Sequence, residues 1–142
     1  MATLTGAVQR DYLIGDVEAY PVIATDVIYQ GAAVGENGSG YSRPLVAGDT
    51  FQGIADSTAD NSTGLAGAVS VIVRRKGRVV VPVVGASAIT ANDRPAVYAS
   101  DDNTFTLTST SNSLIGYVSR WISGTTCVVS FDVDVVSAAL QA

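Results

Sequence analysis

Few residues in this chain have the type or spacing for covalent chemistry. None of its 142 residues is a histidine, which removes the commonest general base, the commonest zinc ligand and every histidine-dependent triad. Cys127 is the one cysteine. A catalytic thiolate needs an activating neighbour, and the alternation of Cys127 with Val129 and Phe131 predicts a small buried hydrophobe instead. A lone cysteine also excludes an intramolecular disulfide and fits a reducing compartment. Asp132 and Asp134 fall on one face of an expected strand, and Asp56, Asp60, Asp101 and Asp102 fall in loops. No Asp-x-Asp-x-Asp-Gly calcium loop is present, so these carboxylates read as solvated or interface charges. There is no Gly-x-Ser-x-Gly, no phosphate-binding loop and no dinucleotide fingerprint; Gly35–Tyr41 is glycine-rich, but no helix follows it. The expectation is no catalytic residue, no metal and no cofactor.

What remains for recognition is a cluster of cations. Arg74, Arg75, Lys76 and Arg78 are half of the eight basic residues, and the net charge of −5 falls to −9 without them. A body that acidic repels nucleic acid, so a nucleic-acid site ranks below two other readings. One is a solvated strand end that resists edge pairing; the other is docking onto an acidic protein surface. The stretch that holds the cluster, residues 69–84, reads as a β-hairpin with two β-branched arms and the cations at its tip. Gly77 would supply the positive φ of the turn, either as the bulge residue after a type I turn over Arg75-Lys76 or within a two-residue Lys76-Gly77 turn. Both faces of the arms are largely apolar, which places the hairpin between two layers or at a subunit contact. Val71, Val73, Val81 and Val83 are the candidate oligomer contacts. Pro82 cannot donate to a ladder and predicts an edge or a bulge.

The elements around the hairpin are short strands and turns at about ten-residue spacing, the pattern of an all-β sandwich or barrel. Residues 1–16 read as an extended N-terminal arm whose Tyr12 and Leu13 are candidate partner contacts. Residues 17–136 form one β domain. Strands are expected near Val17–Ala24, interrupted by Pro21, and near Val27–Val34, Thr50–Ala55, Ala96–Ser100, Thr104–Thr108 and Leu114–Ile122. In the last of these, Gly116 marks a bulge or close approach. The final strand runs from Thr126 to Val135, with Cys127, Val129, Phe131, Val133 and Val135 on one face. Residues 56–64 read as a polar loop, and 137–142 as a tail of one helical turn. Residues 1–16 lack a basic start and a long apolar stretch, so no leader is expected there, and no apolar run of about 20 residues is present, so no membrane is expected. Charged residues are only 15% of the chain, fewer than a small monomer usually displays, which points to surface covered by a partner. Trp121 is open to two readings, interface anchor or core.

The order of phrases in residues 40–135 resembles the tailed-phage capsid decoration (cement) proteins. The shared features are a Gly-Asp turn before a Gly-Ile-Ala strand (Gly48-Asp49, Gly53-Ile54-Ala55), a Gly-x-Val-x-Val-Pro strand (Gly77 to Pro82), an Asp-x-(Pro/Val)-x-Tyr strand (which maps to Asp93 to Tyr98, one residue longer here), and Ile-Gly-x-Val (Ile115-Gly116-Tyr117-Val118) before the closing strand. The chain departs from the family in its longer N-terminal part and in the basic RRKGR. The resemblance implies a β-barrel-like domain that binds the outside of a phage head as a homotrimer and bridges major capsid protein subunits, with no enzymatic activity. The alternative reading is a carbohydrate- or host-surface-binding β module of a fibre or tail appendage, which scattered tyrosines disfavour.

Overall fold

The computed structural model describes residues 5–7, 9, 16–88 and 92–141, with side chains as far as residue 137. Tyr12 and Leu13 lie outside the described residues, as does most of the arm expected over 1–16. The protein is all-β, as its sequence predicts. Its strands are β1 (Val17–Pro21), β2 (Asp26–Ile28), β3 (Ala33–Glu36), β4 (Ser42–Pro44), β5 (Thr50–Ala55), β6 (Ala59–Asn61), β7 (Ser70–Arg74), β8 (Lys76–Val84), β9 (Ala96–Ala99), β10 (Phe105–Thr106), β11 (Ser113–Ser123) and β12 (Thr126–Asp132), and helix α1 spans Val133–Gln141. The first half of the chain builds a sheet in the order β1-β7-β5-β3-β4, with a small β2-β6 ladder beside it, and the second half closes a barrel in the order β10-β8-β12-β11-β9.

The expected hairpin over 69–84 is not formed. Strand β7 pairs with β1 and β5, whereas β8 pairs with β12 and β10. Only Arg75 separates them, and it belongs to both ladders: its N–H donates to the Asp16 carbonyl at 2.8 Å, and its carbonyl accepts from Val133 at 2.9 Å. Residues 70–84 are thus one long extended segment that leaves one sheet and enters the other, a known way of making a corner between sheets. Gly77 does not turn the chain. Its φ of 149° lies in the extended mirror region open to glycine alone, and it sits in β8 opposite Phe131.

Two cores result. Val83, Val97, Ile115, Val118, Cys127, Val129 and Phe131 fill the barrel, joined by Phe51 and Ile54 from the first sheet; the Phe51 and Phe131 rings meet edge to face at 6.1 Å. Val22, Ile28, Val34, Ala55, Val71 and Val73 fill the other. Strands β3 and β5 serve both, since Ala33 and Ile54 belong to one core and Val34 and Ala55 to the other. Strands buried on both faces read as continuous apolar runs. Two glycines mark where backbones cross closely. A Cβ on Gly53 would overlap the Arg74 carbonyl oxygen, and one on Gly116 the Ser130 carbonyl oxygen. Gly116 also marks the register shift between β11 and β9, as predicted.

Three further expectations change. The strand expected near Val27–Val34 is two, β2 and β3, which lie in different sheets with a turn at residues 30–31 between them. Residues 56–64 carry strand β6, which pairs with β2. The last strand stops at Asp132, whose Oδ1 accepts the backbone N–H of Asp134 at 3.0 Å and of Val135 at 3.4 Å. That is an N-cap, so Val133 and Val135 are helical, Asp132 and Asp134 do not share a strand face, and the helix crosses the boundary placed at 136.

A candidate interaction surface on strand β8

Each member of the cationic cluster has a place of its own. Arg74 meets Asp56 at 2.7 Å, Arg75 meets Asp134 at 2.6 Å, and Lys76 meets Asp16 at 3.4 Å. Arg78 has no ion pair among the described residues. The cluster is therefore not a tip of like charges projecting into water. Three of its members are paired within the chain, and Arg75, with its side chain mostly covered, is a structural residue of the crossover. Burial lowers its pKa, but Tyr20, Asp134 and Glu18 together outweigh burial and hold it above the ordinary arginine value.

The valines offered as oligomer contacts face inward. Val71, Val73 and Val83 are fully buried within this chain, and Val81 packs against the barrel core. Strand alternation then dictates the opposite face of β8: Lys76, Arg78, Val80, Pro82 and Val84 all point outward and are exposed. Val80 and Val84 are each 59% exposed. At about 3.3 Å per residue this row is roughly 26 Å long, cationic at one end and apolar at the other. On the neighbouring strand Val80 lies beside Val128, and Arg78 beside Ser130. The other side of β8 is covered by β10 only at Val83 and Val84, so the backbone from Lys76 to Pro82 has a ladder on one side alone. Pro82 stands on this open edge, where its missing N–H costs nothing.

Where the edge faces the first sheet there is a cleft of about 260 Å³, lined by Ile54, Arg74, Lys76, Gly77, Arg78, Val79 and Phe131. The absent side chain of Gly77 leaves the Phe131 ring as part of its wall. Cationic groups around an apolar wall suit a carboxylate carried on an apolar segment.

A second surface carries no local signal in the sequence. Tyr29 is 64% exposed and lines one hollow with Asp102 and Asn103. Asp102 is held above the usual carboxylate range, first by burial and then by the charges of Asp101 and Asp26. Tyr29 precedes the turn at Gln30-Gly31, and an apolar residue beside a turn gives no local sign of which way it faces.

The remaining candidates are structural. Burial raises the Cys127 thiol pKa, and the side chain is fully buried, as expected of a packed hydrophobe. Trp121 packs against the barrel core and donates its Nε1–H to the Gly124 carbonyl at 2.9 Å, closing the β11–β12 turn. The Gly48-Asp49 motif is an internal clamp: the Asp49 carboxylate accepts from Arg43 Nε and Nη2 at 2.9 and 2.7 Å and from the Val46 N–H at 3.0 Å. Among the described residues, no group of three or more acidic or cysteine side chains is placed to hold a metal ion, and no helix is long and apolar enough to cross a membrane. No protein-family model, no curated protein and no solved structure matches the chain.

Proposed function

We propose that this protein is a capsid decoration protein: it binds the outside of a phage head as a trimer, bridges major capsid protein subunits and stabilises the shell, without enzymatic activity. The observation that carries this reading is the outer row of β8, an exposed strand face with its cations gathered at one end and its apolar residues at the other. The motif residues of the resemblance agree with it, because they are scaffold residues. Gly48-Asp49 forms the Arg43 clamp, Gly53 and Gly116 sit at close backbone crossings, and Pro82 sits at an open edge. A shell-bracing protein needs a stiff body and broad faces rather than a reactive pocket, and its grip comes from many shared contacts. The reading is tested by heating purified heads with and without the protein. Decorated heads retain their DNA to a higher temperature; an unchanged release temperature at saturating protein contradicts the reading.

A further inference from the structure

Two exposed surfaces of this chain are opposites. One is the β8 row, in which Lys76 and Arg78 precede Val80 and Val84. The other sets the exposed ring of Tyr29 beside Asp102, with Asp101 and Asp26 close enough to act on its charge. Arg78 and Asp102 have no ion pair among the described residues, and Tyr29, Val80 and Val84 are the larger part exposed. We propose that copies of the chain join head to tail, the Arg78–Val80 end of one β8 row seated against the Tyr29–Asp102 surface of the next copy.

The chemistry selects this occupant. The chain is itself acidic overall, so its own surface supplies the carboxylates that the row requires. Tyrosine supplies a rigid apolar area beside them, of the kind that anchors protein interfaces. A two-fold contact along the whole row is opposed by its polarity. With the strands parallel, cations would meet cations; with the strands antiparallel, Lys76 would be buried against Val84 and Arg78 against Pro82. The joint is therefore between unlike surfaces, and such joints close into rings or continue as fibres. Closure at three copies, and that alone, rests on the function proposed above.

Sedimentation equilibrium of the purified chain, without heads, tests the contact. Wild-type protein is expected to associate with rising concentration, and to do so less as salt rises. Arg78→Glu and Asp102→Lys should each weaken association about tenfold or more, because each buries like charges together. The double variant should recover to within about threefold of wild type, since the pair is restored with its signs exchanged. Tyr29→Ser should weaken association with no charge change. Arg78 and Tyr29 are exposed, so their variants should keep the wild-type melting temperature, which separates lost contact from lost fold. A chain that stays monomeric, single variants that associate like wild type, or a double variant no better than the singles would each overturn the contact. A monomeric chain that still bound heads would overturn it and leave the proposed function standing. An associating chain with the charge-exchange rescue but no head binding would support the contact and count against the function.

Discussion

At the scale of single residues, the alternation along β7 and β8 sorts substitutions into two classes. Val73→Asp places a charge where no water reaches, at a cost of about 3 kcal/mol or more, a large share of the roughly 5–15 kcal/mol that holds a domain folded. That variant should be unfolded or lose most of its melting transition. Val80→Asp, on the outer face, should melt within a few degrees of wild type and lose association. Circular dichroism melts of the two proteins check this, and a folded Val73→Asp would contradict the assigned faces. Asp102 gives a pH dependence. Its native pKa is raised, so the native state holds this proton more tightly than the unfolded chain does. Its charge therefore destabilises the fold fully above the native pKa and not at all below the unfolded value. Asp102→Asn should raise stability at neutral pH, and the gain should vanish as pH falls below the ordinary aspartate range. Denaturant titrations at the two pH values measure it; equal gain at both would contradict the assignment.

At the scale of elements, the sequence shows where strands are far better than it shows which strands pair. Thr50–Ala55 and the β11–β12 region follow from alternation and from glycine and polar turn residues, because those signals are local. The sequence points to a hairpin over residues 69–84 because RRKGR carries a glycine and adjacent strands usually pair. The deciding facts are distant in sequence: β1 and β5 claim one half of the segment, and β12 and β10 the other. The cationic cluster was legible as residues but not as a site, since its partners Asp16, Asp56 and Asp134 come from remote segments. Helix α1 was hidden because Val133 and Val135 continue the alternation of β12, and only the Asp132 cap shows where the strand stops. Asp132→Ala should cost about 1 kcal/mol through loss of that cap and lower helix content. Gly116→Ala, which drives a Cβ into the Ser130 carbonyl, should cost more than the cap variant, because backbone must move on two strands. Chemical denaturation ranks the two, and the reverse order would contradict the close crossing.

At the scale of the whole molecule, two cores share β3 and β5, and one extended segment runs through both halves. Residues 70–84 cannot leave one half without disturbing the other, so the protein should unfold in a single transition by probes of either core. Such a body suits a protein that bears load and presents surfaces, and the trimer on which the functional reading depends is joined through the Arg78–Val80 end of the β8 row. The most direct measurement is co-sedimentation of the chain with purified heads that lack it. Saturable retention of wild-type protein on the outer surface is expected, with strongly reduced retention of a folded Arg78→Glu, Val80→Asp double variant, which lacks the contact between copies. Wild-type protein left in the supernatant at every concentration would contradict it.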